Sequence, residues 1–377
     1  MRIKPFQAVY PNFDFITSAD GFFNTIKYEY PEYRKSGFFK KTAQDALYLY
    51  RIQKGKGSYT GIVACADIQD YLEGKIKKHE NTLAAKEQQQ MHLMISRNAV
   101  VKPVLLTYPE VPEITSLIVT FIEEHEAFYS VRFEKSGELH TFWEIRDGAL
   151  IQRLEDLFRE RVSATYIADG HHRCSTTGLM YQRLSPKSQE GNCGLLLAAF
   201  FAGTELRIHD YNRVVEGLSD TSLTHFMARL SQLFEIEVLE KAEKPRAKHE
   251  IVMMINREWY RLRWKAEVLK TYEHQEVLLD VSLLDELVIS GIMGIEDVRT
   301  DVRIRYVEGP KGISEVRSRT IKNEQRVGFL LYPATLDDLL RTADAGKTMP
   351  PKSTWFEPRI KNGLIVLELD LELGLNM

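Results

Sequence analysis

Apolar and polar residues alternate in short runs along the whole chain, each run closed by turn residues and separated from the next by stretches of helical spacing. ALYLYRIQ (46–53) and SYTGIVACADI (58–68) flank KGKG, so they predict a hairpin closed by a glycine-bearing turn. FYSVRF (128–133) and ELHTFWEI (138–145) predict a second hairpin around KSG. VVKPVLLTY (100–108) predicts a strand, and Pro103, which has no N–H to donate, places it at a sheet edge. TLAAKEQQQMHLMIS (82–96), capped by Asn81 or Thr82, and GALIQRLEDLFRE (148–160) predict helices.

After the apolar run GLLLAAFFAG (194–203) the texture changes. Helices are predicted at 222–234 and 281–294. The runs EIEVLE, EIVMMIN, WYRLRW, VRIRYVEG and RVGFLLY predict strands. The expectation is a mixed α/β (α+β) protein: an N-terminal lobe over 1–205 and a C-terminal α+β lobe over 206–377 packed against it.

Composition adds bounds. The chain has 377 residues, 44% of them apolar, enough to fill one large core or two ordinary ones. Its net charge of -3 argues against a global field for nucleic acid or an anionic membrane, while a local basic groove stays open. Three cysteines without a CxxC pair suggest neither a disulfide framework nor a zinc ribbon. The start MRIKPFQAVYPNF lacks a signal-type apolar run and no stretch reaches a spanning length, so a cytoplasmic location is expected.

One stretch asks for chemistry. TYIADGHHRCSTT (165–177) passes from β-prone residues through Asp169-Gly170 into helical spacing, so DGHHR is expected in a strand-to-helix connection. A helix start carries unpaired N–H groups and a partial positive charge, a ready anion site. Gly170 permits positive φ, Arg173 supplies a bidentate fork, and His171 and His172 add donors. The segment reads as a phosphate cradle, with Asp169 holding a magnesium ion or orienting a histidine. A capped turn with surface histidines is the plain alternative. Zinc is disfavoured, since no HxxxH or CxxC accompanies the pair. A Cys174 nucleophile at the helix start is weighed against a buried, inert thiol.

IADGHHR, GKIKKHENTLAAKE (74–87) and MPPKSTWFEPRIKNGL (349–364), with KPFQAVYP, YTGIVACADIQDY and LLDVSLLDELV, resemble the bacterial family catalogued as domain of unknown function 1015. The resemblance covers nearly the whole chain. Where that family usually has a segment like APPYDV, this chain runs through NFDFITSADGFFN. Over residues 165–175 alone, the loop is similar to those of the ParB/sulfiredoxin superfamily and its ADP-dependent free serine kinases. This likeness implies a nucleotide-binding lobe of that type.

GKIKKHENTL sets Lys78, His79 and Glu80 before a helix, where His79 and Glu80 suit a base and Lys78 a phosphate contact, or all are simply solvated charges. MPPKSTWFEPR is a proline-braced loop in which Lys352, Ser353, Thr354, Trp355 and Glu357 suit substrate or nucleotide contact, or merely pack. The favoured reading is a kinase using ATP or ADP with Mg on a small hydroxylated metabolite, with His79, Glu80 and Asp169 catalytic. A ParB-like regulatory or DNA-associated nucleotide binder, and a metal-dependent phosphodiesterase or nuclease, stay open as rivals, as does a homodimer.

Overall fold

The computed structural model describes residues 1–184, 191–218 and 222–371. The chain is mixed α/β and divides into two compact units, Met1–Arg207 with Pro358–Met377, and Ile208–Glu357. Its last segment therefore returns to the first unit: Leu367–Glu368 pairs with Ala99–Val100, and Val366 bridges Val9. The sequence expectation had kept that segment in the second lobe.

A nine-stranded mixed sheet forms the first unit. Its order runs through Ile76–Lys77, Thr165–Asp169, Val104–Tyr108, Leu195–Ala202, Gly57–Asp67, Leu47–Lys54, Glu138–Ile145 and Tyr129–Phe133, with Ile3–Lys4 beside Gly57–Asp67. Both predicted hairpins are present; in the first, Lys54 faces Gly57 across a two-residue turn that puts Gly55 at φ 56°. Leu47, Leu49, Ile62, Ala64, Leu106 and Phe200 share one core with Leu154 and Phe158 of the Gly148–Arg161 helix, while the alternate positions Tyr48, Tyr50, Val63 and Leu105 are buried as well.

The edge placement of VVKPVLLTY is corrected. Val104–Tyr108 is an interior strand, antiparallel to Thr165–Asp169 and parallel to Leu195–Ala202. Pro103 escapes the ladder because the strand starts one residue after it. Strand pairing is thus interrupted between Val100 and Val104, across Lys102-Pro103.

The second unit has a six-stranded sheet, antiparallel throughout, in the order Phe234–Leu239, Glu258–Trp264, Glu250–Ile255, Arg326–Leu331, Tyr211–Glu216 and Ile304–Glu308. The predicted helix at 281–294 is present in shorter form: it begins as an α-helix, Asp280–Leu283, and continues as a π-helix, Leu284–Ser290. No helix among the described residues is long and apolar enough to cross a membrane.

Candidate functional site

The strand-to-helix connection stands where the residue pattern placed it. Thr165–Asp169 is a strand, Gly170 turns at φ 116°, and His171–Arg183 is a helix. A Cβ on Gly170 would lie 2.7 Å from Arg173 Nη2 and 2.9 Å from Val104 Cγ1, so glycine is required by both backbone and packing.

Ile76–Lys77 runs parallel to Thr165–Asp169, so both strands deliver their following segments to the same end of the sheet. Two of the three sequence motifs meet there. The rings of His79 and His171 pack edge to face with centroids 4.5 Å apart, and the His79 N–H donates to His171 Nε2 at 3.4 Å. Since Nε2 accepts, the proton sits on Nδ1, which faces Glu80 at 3.8 Å. Burial, then the adjacent His79, holds His171 well below the usual histidine range.

His172 faces the other way. Its Nε2 accepts the N–H of Leu83, the cap residue of the Ala84–Arg97 helix, which has no side-chain cap of its own. The expected cap Thr82 instead donates to Glu87, which also accepts from Ser175. His172 is thus a cross-helix cap rather than a phosphate contact.

His79 is not placed to act as a base. It is 1% exposed, and burial pulls it down to about 3, so it stays neutral behind His171. Glu80 is half-buried, and Lys78 stands exposed at the surface. Cys174 is fully buried with its thiol pushed up to about 12, which ends the nucleophile reading.

Asp169 is the hub of the site. Arg173 Nη2 lies 2.8 Å from it, Lys102 Nζ 3.2 Å and Arg359 Nη1 3.3 Å. Burial alone would raise this carboxyl, but Arg173, Lys102 and Arg359 hold it far below the usual carboxylate range. A carboxylate so engaged has little lone-pair density left for a cation. Among the described residues no cluster of three or more His, Cys, Asp or Glu side chains could hold a metal. The magnesium role assigned to Asp169 therefore does not fit these residues. Burial and then Arg173 pull Lys102 down to about 8.

Beside the hub lies a cavity of about 260 Å³. Lys27, Arg97, Lys102 and Arg173 line it, with Gln90, Thr177 and Asn362 among its polar walls and no carboxylate. His79 and Glu80 are not part of that lining. Sequence reasoning missed Lys27, Arg97, Lys102 and Arg359; a lone lysine in the apolar run VVKPVLLTY was the one signal available.

The third motif lies in the second unit. Arg213, fully buried, forks onto Asp285 and donates to the carbonyls of Pro351 and Lys352. Ser353 and Thr354 are buried, Ser353 Oγ bonding to Pro350 O, and Phe356 is core. Glu357 pairs with His209 at 2.9 Å and Trp355 sets its ring edge against Tyr211. Ser353, Thr354 and Glu357 are thus spent on bracing the loop, which leaves Lys352 exposed and Trp355 half-buried.

Residues 10–285 match DUF1015, a protein family of unknown function. The chain belongs to that family. No curated protein matches it. Among solved structures, a free serine kinase in complex with AMP aligns over 81% of this DUF1015 chain and 89% of its own, at 14% identity and a TM-score of 0.38. SbnI with a C-terminal truncation, from Staphylococcus aureus, aligns over 80% and 85%, at 12% identity and a TM-score of 0.41. A conserved hypothetical protein from Pyrococcus furiosus aligns over 85% and 99%, at 14% identity and a TM-score of 0.37.

Proposed function

We propose that this DUF1015 protein binds a nucleotide by its phosphates in the Lys102/Arg173 cavity and transfers a phosphoryl group to a small hydroxylated metabolite. One observation carries the reading: Lys27, Arg97, Lys102 and Arg173 are among the residues lining a cavity that has no carboxylate in its lining, beside the strand-to-helix turn at Gly170. Asp169 offsets part of the charge of Lys102 and Arg173, and a bound phosphate would offset more.

In the transfer, the acceptor oxygen forms a bond to the terminal phosphorus as the bond from phosphorus to the nucleotide's bridging oxygen breaks. Arg173 and Lys102 neutralise the charge that spreads over the phosphoryl oxygens. The hydroxyl proton goes to an oxygen of the transferred phosphoryl group; Glu80, beside His171 Nδ1, stands outside the cavity lining. His79 packs behind His171 and holds that ring in place.

Thermal unfolding with ADP, ATP, AMP and adenosine tests the binding step. Phosphorylated ligands should raise the midpoint and adenosine should not, and Arg173→Ala should remove the rise. Equal shifts for adenosine and ADP, or none for any nucleotide, would refute it. Formation of a phosphate ester from a panel of hydroxylated metabolites tests the chemistry, and nucleotide binding with no transfer to any of them would refute it.

A further inference from the structure

Arginines 97, 213 and 261 are the buried arginines of the described residues. Arg213 forks onto Asp285, and Arg261 pairs with Glu237 and Glu250. Arg97 differs. It is 8% exposed, closes the Ala84–Arg97 helix, and lines the cavity, yet among the described residues its hydrogen bonds run to backbone carbonyls, Nε to Leu93 at 2.6 Å and Nη1 to Lys27 at 3.2 Å. Among the described residues no carboxylate pairs with it.

A buried guanidinium without a counter-charge is expensive, and the backbone bonds fix its direction without cancelling its charge. Burial indeed pulls Arg97 down to about 10, a value that still leaves it charged at neutral pH. Its planar fork matches a carboxylate bidentately. Lys27 is on the same cavity wall, where its backbone carbonyl accepts from Arg97, while its ammonium lies over the Tyr28 ring. The other cationic pair, Lys102 and Arg173, is already bridged by Asp169 next to the helix start. The cavity therefore has two differently built cationic ends: one organised around the Asp169 carboxylate, and one at a helix C-terminus whose carbonyls offset the Arg97 charge only in part.

We infer that Arg97 holds a carboxylate of the acceptor, so that the small-molecule substrate is a hydroxy acid rather than a simple alcohol or sugar. The inference rests on the phosphate-site reading above and adds the acceptor's chemical class. A hydroxy acid phosphorylated on its hydroxyl would span both ends, phosphate toward Lys102 and Arg173, carboxylate on Arg97. A cavity of about 260 Å³ suits a ligand of that size.

Isothermal titration with two phosphate esters separates the ends: phosphoglycerate carries the carboxylate, glycerol phosphate has a hydroxymethyl group in its place. The wild-type chain should bind phosphoglycerate about tenfold or more tightly than glycerol phosphate, the worth of one charge-assisted fork. Arg97→Gln should erase that preference, weakening phosphoglycerate far more than glycerol phosphate or ADP, and Arg97→Lys should retain part of it. The unliganded Arg97→Gln protein should unfold at or above the wild-type midpoint, since it sheds an uncompensated buried charge; a purely structural Arg97 would give a lower one. Equal binding of the two esters by wild type, or a preference that survives Arg97→Gln, would overturn the assignment. Loss of ADP binding in wild type with the ester preference intact would instead strike only the nucleotide reading.

Discussion

Arg173 folds back over the start of its own helix to reach Asp169, Nη2 to Oδ2 at 2.8 Å, so a side chain four residues on covers the Gly170 turn. The buried Nε of the same arginine has no acceptor among the described residues. The carboxylate thus occupies cations at the place where an incoming phosphate would seek them.

Asp169→Asn removes the shared counter-charge of Arg173, Lys102 and Arg359. It should lower unfolding free energy by about 2–4 kcal/mol, the scale for breaking a partly buried pair. Added inorganic phosphate should restore most of the loss in the variant and do less for wild type, because the anion takes the carboxylate's place. Urea unfolding with and without phosphate reads this; a loss indifferent to phosphate would mean that the cations face no ligand site. The native carboxyl's pKa is depressed, so its contribution is present above the unfolded value near about 4 and is lost only as pH falls toward the folded value.

Gly170→Ala confronts a backbone at φ 116° and a clash with Arg173 and Val104. Arg173 can swing away, but Val104 belongs to the interior strand and cannot. We expect a cost of roughly 1–3 kcal/mol in stability together with loss of nucleotide binding. Denaturant midpoints and a nucleotide thermal-shift assay on the same preparation check the two effects; an alanine that binds ADP normally would place the phosphates elsewhere.

The local half of this site was legible in the residue pattern. A β-prone run, a glycine and then helical spacing specify a strand, a turn and a helix start, because each depends on residues a few positions apart. Lys102 and Arg359 were not legible as Asp169 partners, since their convergence depends on which strands neighbour Thr165–Asp169 and on the chain's return after residue 358. Arg97 gave no sign either: a basic residue in a last helical turn is ordinary dipole chemistry. The His79 assignment failed for a related reason, because periodicity does not say that His171 will cover it. Pro103 misled through its missing N–H, which costs nothing one residue before a strand begins.

Lys102 gives the site a pH signature. Its folded value of about 8 lies below the unfolded one near about 10.4, so the unfolded chain binds more protons between them and unliganded stability should rise with pH across that window. A bound phosphate favours the charged lysine, so ADP affinity should fall as pH climbs through about 8. Lys102→Met should weaken binding below that point and flatten the dependence, while Lys102→Arg should keep binding strong above it. Titration of ADP across this range decides it, since the phosphates are already ionised there.

His79 makes the opposite demand at low pH. It is buried neutral with a value of about 3, against about 6.5 in the unfolded chain, so acidification between these values charges the unfolded state first and pulls the equilibrium toward it. Stability at about pH 5 should be roughly 2 kcal/mol below its value at neutrality from this residue alone, with His171 adding in the same direction. His79→Phe keeps an aromatic ring against His171 and cannot take the proton, so it should flatten much of that slope while leaving neutral stability near wild type. Urea unfolding of both proteins at the two pH values makes the comparison. A wild-type slope no steeper than the variant's would mean that His79 exchanges protons with solvent in the folded state, and the case for a rigid, neutral support behind His171 would fail with it.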